Sequence, residues 1–321
     1  MFYDLVAKRY WFFVVSAIVI LPGLISLLLP GGLRPGIDFT SGSIMTLRFE
    51  RHVEQAALRA AFTDLGHHEA IVQRADDGVY IVRTTVLGGE GRDEGGAVTQ
   101  ASERQQVENA LAERFGSVTV LSFDQVSPIV ATEVVRNSVI AVMAACIGIM
   151  LYLWWAFRQV TESWRYGVCA VFALVHDALA VLGIFSILGR LFAIELDALF
   201  ITAVMTVIGF SVHDTIVVFD RIRENAIRHQ GEPFGDIVNH SLMQTLGRSL
   251  TTSLTIMLTL LGLFLFGGVT IRTFVLALLV GIITGTYSSI FNASMLLVVW
   301  EKGELGRLFK RGSPRPTLAR A

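Results

Sequence analysis

The chain has 321 residues, of which 53% are hydrophobic and 17% are charged, and its mean hydropathy is +0.60. Soluble domains carry about 25% charged residues, so this composition excludes an ordinary soluble protein and indicates a membrane protein. The formal net charge of -1 gives no basis for a nucleic-acid partner. Cys146 and Cys169 lie in apolar segments without metal-ligand spacing, so we expect them to pack as small core residues and expect no metal site.

Six apolar segments are long enough to cross a bilayer, which takes about 20 helical residues. They cover approximately residues 11–29, 134–156, 165–188, 196–219, 243–266 and 273–300. The first segment follows Lys8 and Arg9, as the apolar part of a signal peptide would. It lacks a cleavage site of small residues, so an uncleaved anchor is predicted.

Basic residues in the short connections predict the orientation, because lysine and arginine are retained on the cytoplasmic side. One side carries Lys8, Arg9, Arg158, Arg165, Arg221, Arg223, Arg228, Lys302, Arg307, Lys310, Arg311, Arg315 and Arg320. The short connections on the other side carry only Arg190 and Arg272. We therefore predict a multi-pass protein of the cytoplasmic (inner) membrane with both termini in the cytoplasm.

This orientation divides the chain into four parts. Residues 1–35 form the cytoplasmic N-terminus and first span, and residues 36–131 form an extracytoplasmic domain. Residues 132–301 form a bundle of five helices, and residues 302–321 form a basic cytoplasmic tail. The predicted fold is a membrane all-α bundle of six transmembrane helices with one α+β domain between the first and second helices.

The outer domain shows strand and helix patterns in the order βαββαβ, which is typical of a ferredoxin-like module. Predicted strands cover residues 43–49, 70–74, 79–84 and 118–123, and predicted helices cover 53–65 and 102–115. Asp77-Gly78 is a hairpin turn signal, and Ser102 with Gln105 forms a capping-box pattern. The glycine-rich segment 88–96 predicts a mobile loop.

Charged residues inside the spans carry the functional signal, because a charge at the bilayer centre costs about 2.5 to 3.5 kcal/mol on insertion scales. The fourth span contains His213 and Asp214, with the aspartate about 8 Å from the cytoplasmic end. The third span contains His176 and Asp177 near its middle. Each histidine either relays protons or packs through hydrogen bonds, and the sequence leaves both interpretations open.

The fifth span carries a polar stripe with one cation. Spacings of three and four place on one helical face Ser241, Thr245, Arg248, Thr252, Thr255 and Thr259. Arg248 is predicted at a depth similar to that of Asp214, so a pair between them is sterically reasonable. Either this pair is static and fixes the helix packing, or the carboxylate exchanges protons beside the cation and the hydroxyls as part of a proton path.

Other polar and small residues have plain structural explanations. Asp220 and Arg221 lie at the membrane interface, where ordinary snorkelling accounts for them. Gly281 and Gly285 predict close helix packing in the last span. The sequence contains no phosphate loop, nucleophile elbow, zinc-ligand spacing or nucleotide fingerprint, so it does not predict an enzyme that hydrolyses ATP.

At several of these stretches the chain resembles the SecF family. The matching stretches are residues 36–42 (Gly-Ile-Asp-Phe-Thr-Ser-Gly), 176–177 (His-Asp), 209–225, 239–253 and the Gly-Gly at 267–268. The resemblance marks Asp38, Thr215, Asp220 and Arg221 as motif residues, although an Asx-type turn at the membrane surface explains Asp38 equally well.

The resemblance implies a proton site in the bundle. Asp214 matches the fourth-span proton-site aspartate of the family, and Arg248 matches the fifth-span arginine that assists it. Asp177 and His213 are further candidates for the relay, with His213 standing where the family usually has asparagine. Protons would be the coupling ion, and no cofactor is implied.

The resemblance also implies partners and a function. SecD would be the direct partner, with the SecYEG channel, YajC, YidC, the translocating preprotein and membrane lipids as further contacts. With SecD, the protein would use the proton motive force to promote late, SecA-independent steps of protein translocation. A stand-alone proton-driven exporter of lipids or small amphiphiles is the alternative, and a scaffold that only stabilises its partner is a third possibility.

Overall fold

The computed structural model describes residues 4–76, 78–88, 91–92, 98–100, 103–158 and 164–304. It forms two compact units, one of Met1–Arg34 with Ile140–Ala321 and one of Pro35–Val139. Asp77 of the predicted hairpin turn, most of the glycine-rich segment, Ser102 of the capping box and the basic tail from residue 305 lie outside the described residues.

The helices and strands follow one another in a simple order. From the N-terminus they are α1 (Arg9–Leu28), α2 (Ile37–Thr40), β1 (Gly42–Phe49), α3 (Gln55–Asp64), β2 (Ile71–Asp76), β3 (Val79–Thr84), β4 (Gly91–Arg92), β5 (Val98–Gln100), α4 (Glu103–Phe115), β6 (Val118–Val126), α5 (Pro128–Ala156), α6 (Trp164–Phe192), α7 (Ala198–Arg228), α8 (Phe234–Phe266), α9 (Val269–Tyr287), a π-helical segment (Ser288–Ala293) and α10 (Ser294–Glu301). The one-turn helix α2 and the short pair β4–β5 were not predicted.

Within the described ranges, six helical stretches are long and apolar enough to cross a membrane, which confirms that part of the prediction. They are Val6–Leu28, Pro128–Ala156, Trp164–Phe192, Ala198–Arg228, Phe234–Phe266 and Ile271–Glu301. The sixth consists of α9, the π-helical segment and α10 in continuation. Helix α8 has 33 residues, which at about 1.5 Å each exceeds the hydrocarbon thickness of a bilayer.

The smaller unit contains a four-stranded antiparallel sheet, as predicted. Its strand order is β2-β3-β1-β6, with Met45 of β1 opposite Val82 of β3 on one side and Phe123 of β6 on the other. Alternate residues of β1 and β3 are buried because successive side chains point to opposite faces. Helices α3 and α4 supply Leu58 and Leu111 to the same apolar core.

Helix α1 packs directly on α6 through two glycines. A Cβ on Gly23 would lie 2.6 Å from the Gly183 Cα, so the two backbones touch where the helices cross. One turn further on, the hydroxyls of Ser26 and Ser186 are 2.7 Å apart. Arg190 of α6 then donates to the last carbonyls of α1, including the Leu29 carbonyl at 2.8 Å. These contacts cap the C-terminus of α1, whose carbonyls would otherwise lack partners.

The opposite end of α1 is tied to the C-terminal end of the last span. Arg9 Nη2 donates to the Glu304 carboxylate at 2.8 Å, and the Tyr10 hydroxyl donates to it at 2.8 Å. Burial raises the pKa of Glu304, but hydrogen bonds from Tyr10 and Arg9 outweigh it and hold that pKa below its ordinary value. The contact therefore stabilises the fold above the unfolded-state pKa of glutamate and is lost as the pH falls through the lower folded-state pKa.

Glu304→Gln should lower the stability of the purified protein at neutral pH. The expected loss is about 0.2–1 kcal/mol, the range of partly exposed ion pairs. The measurement is the thermal unfolding midpoint of both proteins at neutral and at acid pH. The difference should vanish at acid pH, where Glu304 is itself neutral, and a difference of the same size at both pH values would contradict the assignment.

Candidate functional site

Asp177 lies at the centre of the bundle and is fully buried. Its Oδ1 is 3.0 Å from His176 Nδ1, and its Oδ2 accepts a hydrogen bond of 2.5 Å from the Ser211 hydroxyl of α7. A buried carboxylate loses the water that would solvate it, so it is retained only where protein groups take the place of water. Both oxygens of Asp177 have such a partner.

Hydroxyl groups continue from Asp177 into α7 and the last span. Ser289 Oγ is 3.2 Å from Ser211 Oγ, and it donates to the Ser211 carbonyl at 2.9 Å. Thr215 Oγ1 lies 3.0 Å from Ser289 Oγ and 2.9 Å from the Ser211 carbonyl. We call these five residues, His176, Asp177, Ser211, Thr215 and Ser289, the inner polar network.

The network is built around the π-helical segment of the last span. Ser289 belongs to this segment, and so does Asn292, whose side-chain amide donates to Ser16 of α1 at 2.7 Å. A π-helical turn is wider than an α-helical one and occurs mostly as a single turn, often at functional sites. The segment thus gives polar side chains to two different neighbours, α7 and α1.

Two glycines allow α9 to approach α7 beside the network. A Cβ on Gly281 would lie 2.1 Å from Val207 Cγ2, which leaves no room for a side chain. A Cβ on Gly285 would lie 3.3 Å from Ser211 Cβ and 3.6 Å from Asp177 Oδ2. The absence of side chains at these two positions brings Ser289 within hydrogen-bonding distance of α7.

Asp214 is buried on α7, one residue from Thr215. In the described part of the chain, its Oδ2 has no hydrogen-bond partner. Arg248 is exposed on α8, and no ion pair within 4.0 Å joins its guanidinium to Asp214. The ion pair between Asp214 and Arg248, which the sequence analysis considered sterically reasonable, is therefore absent from this structure.

The reason is the orientation of α8. Its buried polar residues are Ser241, Thr245, Ser249 and Ser253, spaced four apart. Arg248 precedes Ser249 by one position, a rotation of about 100° around the helix, and it is exposed. The predicted stripe does lie on one face of α8, but only its first part, Ser241 and Thr245, is buried. Further along the same face, Thr252, Thr255 and Thr259 are exposed like Arg248 and bond to carbonyls of their own helix.

The remaining predicted positions lie away from the network. His213 is exposed on α7, facing out of the bundle. Asp220 pairs with Arg223 at 2.7 Å, and Arg221 pairs with Glu224 at 2.5 Å, near the end of α7. Asp38 lies in the first turn of α2 in the smaller unit. Among the described residues, no group of three or more His, Cys, Asp or Glu side chains is arranged to hold a metal ion.

Ser211 and Ser289 are the network residues that the sequence analysis did not single out. The signal for Ser211 was its position four residues before Thr215, on the same helical face. Nothing in the sequence related Ser289 to either residue, because that contact depends on how the last span packs against α7.

Comparison with known proteins gives consistent matches over most of the chain. Residues 106–303 match the family described as protein export membrane protein SecD/SecF, C-terminal, and residues 31–51 match the SecD/SecF GG motif. The protein translocase subunit SecF of Thermobaculum terrenum is 49% identical over 97% of this chain and 98% of its own length. SecF of Anaerolinea thermophila is 42% identical over 97% of this chain and 98% of its own length.

A solved structure is also similar. The crystal structure of SecDF from Thermus thermophilus, described as a translocon-associated membrane protein, aligns with a TM-score of 0.76 and 34% identity. The alignment covers 94% of this chain but 39% of the SecDF chain. The chain therefore spans about two fifths of the length of that protein.

Gly281→Ala should destabilise the bundle, because its methyl group would overlap the Val207 side chain. Overpacking of this kind costs about 1–3 kcal/mol. The measurement is the thermal unfolding midpoint of the purified protein, with Gly281→Ala/Val207→Ala as the compensating double variant. The double variant should recover part of the loss. Gly209→Ala is the control, since a Cβ there meets nothing within 4 Å, and an equal loss in this control would contradict the explanation.

Proposed function

The chain belongs to the SecD/SecF family of protein export membrane proteins, and from this premise we propose that it serves as the SecF subunit of the Sec protein translocase. In this proposal, it works with SecD and uses the proton motive force to promote late, SecA-independent steps of translocation across the cytoplasmic membrane. Its membership in the family supports the role of an accessory translocase subunit. The proton coupling is argued from the bundle itself.

The single observation that carries the proposal is the environment of Asp214. A carboxylate in a membrane helix is costly, and the cost is avoided when the group takes up a proton. Asp214 is 3% exposed and lacks a partner for Oδ2 in the described structure. An acid without a fixed counter-charge can change its protonation state more easily than one locked in an ion pair.

The membrane potential supplies enough energy for this change. One proton crossing 100 mV releases about 2.3 kcal/mol, and a shift of one pKa unit corresponds to about 1.4 kcal/mol. The energy released by one proton is therefore comparable with the cost of changing the charge of a buried carboxyl group such as Asp214. Because α7 carries Asp214 and packs against both α8 and α9, a change of charge there acts on the helices that form the core of the bundle.

The outer face of α8 supports SecD as the partner. This face exposes Arg248 together with Thr252, Thr255 and Thr259. An arginine among lipid tails is unfavourable in free energy, because the tails cannot solvate its charge. A partner subunit that covers the face would provide the polar groups that lipid lacks. We propose that SecD covers this face of α8, so that Arg248 lies at the subunit interface. The predicted depth of Arg248 in the membrane is similar to that of Asp214.

The smaller unit completes the proposed arrangement. We infer that it is a ferredoxin-like module on the outer side of the membrane, between the first and second spans, where it handles emerging polypeptide. The strand order β2-β3-β1-β6 and the two intervening helices α3 and α4 support this inference. Both termini would be cytoplasmic, and SecYEG, YajC, YidC and membrane lipids would be the further contacts.

Asp214→Asn should abolish the stimulation of export by a proton gradient. We expect at least about a tenfold loss, which corresponds to about 1.4 kcal/mol, because an amide cannot take up and release the proton. The measurement is preprotein export into proteoliposomes that contain the SecYEG channel and the chain with SecD, with and without an imposed gradient. Asp220→Asn is the matched control, since Asp220 lies on the same helix but is exposed and paired with Arg223.

Two outcomes would contradict the proposal. Export by the Asp214→Asn variant at the native rate with a gradient would rule out this carboxylate as the coupling group. A stable homodimer that moves protons without SecD would instead favour the alternative, a stand-alone exporter of lipids or small amphiphiles.

A further inference from the structure

We propose that Thr215, Ser289 and Ser211 form a hydroxyl chain that carries a proton between Asp214 and Asp177, and that Asp177 stores this proton. The biological role of this hydroxyl chain rests on the proposed function. The chain itself is defined by contacts inside the bundle and can be tested without protein export.

The chain is continuous from Thr215 to the carboxylate. Thr215 Oγ1 is 3.0 Å from Ser289 Oγ, Ser289 Oγ is 3.2 Å from Ser211 Oγ, and Ser211 Oγ is 2.5 Å from Asp177 Oδ2. All three separations are within or close to the range of hydrogen bonds between oxygens. The side chains are buried, so bulk water does not compete for these bonds.

The hydrogens can all be oriented in one direction. Thr215 and Ser289 each also contact the Ser211 carbonyl at 2.9 Å, so their hydroxyl hydrogens have to turn from this carbonyl to the next oxygen of the chain. In that orientation Thr215 donates to Ser289, Ser289 donates to Ser211, and Ser211 donates to Asp177. When Thr215 receives a proton from the neutral carboxyl of Asp214, its own proton passes to Ser289, that of Ser289 to Ser211, and that of Ser211 to Asp177. Asp214 ends as the carboxylate and Asp177 as the neutral acid, each hydroxyl regains one proton, and no other reactant is needed.

The first step requires a small movement of Asp214. Asp214 and Thr215 are neighbours on α7, and Oδ2 of Asp214 makes no hydrogen bond in the described structure. Consecutive side chains lie about 100° apart around a helix, so a side-chain rotation or one intervening water molecule has to connect this oxygen to Thr215. The proposal includes this movement as the first step of the transfer.

The far end of the chain is closed, which makes Asp177 a store rather than a passage. The groups that face Asp177 are His176 of its own helix, the Ser211 hydroxyl of α7, and the backbone of α9 at Gly285. His176 lines a cavity of about 220 Å³ together with Val15 and Ile283 and with the hydroxyl-bearing residues Ser16, Thr284 and Tyr287. Within the described residues, His176 Nε2 has no hydrogen-bond partner that could take the proton further, so a proton that reaches Asp177 returns through Ser211.

The experiment is deuterium exchange at the Asp177 carboxyl, followed by infrared spectroscopy of the purified complex with SecD. The carboxyl band is assigned by its loss in Asp177→Asn. Ser289→Ala should slow exchange at least about tenfold, which corresponds to about 1.4 kcal/mol in the barrier, and Ser289→Thr should restore it because the hydroxyl is kept. Thr215→Val interrupts the other end of the chain with a similar side-chain volume and should slow exchange equally.

Ser288→Ala is the matched control. Ser288 is adjacent and equally buried, but its hydroxyl donates to the Gly285 carbonyl of its own helix. Native exchange in both Ser289→Ala and Thr215→Val, equal slowing in Ser288→Ala, or the lack of an Asp177 carboxyl band at any pH would each overturn the proposal. Slow exchange in the two variants would support it even if export proved independent of Asp214, so the two proposals can fail separately.

Discussion

A carboxylate inside a helical bundle has to be solvated by the protein, because the surrounding hydrocarbon offers it nothing. At Asp177 this role falls to His176 on one oxygen and to Ser211 on the other. These contacts require α6 and α7 to lie side by side in one register. They also require the last span to bring Ser289 against Ser211 and Thr215. The arrangement of the three central helices therefore follows from the need to satisfy one acid.

Close packing makes these polar contacts possible. Hydroxyl groups on short side chains reach across only where the backbones are close, and Gly281 and Gly285 provide that closeness between α9 and α7. The π-helical segment then directs Ser289 to α7 and Asn292 to Ser16 of α1. Asp214 differs from Asp177 because no fixed partner has been supplied for its Oδ2 in the described structure. One acid has fixed hydrogen-bond partners on both oxygens and the other does not, and the proposed coupling rests on this difference.

Several features were readable from the sequence because they depend on local patterns. The six spans follow from the length of apolar runs, and the strands of the sheet follow from alternation and turn signals. Asp214 and Asp177 stood out because charges in spans are rare, and the family resemblance then marked the same two residues.

The direction in which a side chain points around the helix axis could not be predicted from the sequence in the same way. The predicted stripe on α8 contained Arg248 and not Ser249, and only the packing of α8 against its neighbours shows that the serine is buried and the arginine exposed. The contact between Ser211 and Ser289 joins residues 78 positions apart. It also depends on a π-helical turn, which no sequence pattern predicted. Interactions of this kind are set by tertiary packing, which single-sequence periodicity does not determine.

The crossing of α1 and α6 has a mechanical consequence. With Gly23 pressed against Gly183 and Arg190 holding the last carbonyls of α1, the two helices cannot slide past each other without breaking several contacts at once. They are expected to behave as one rigid lever. Since α6 bears Asp177, any tilt of this acid-bearing helix carries α1 with it.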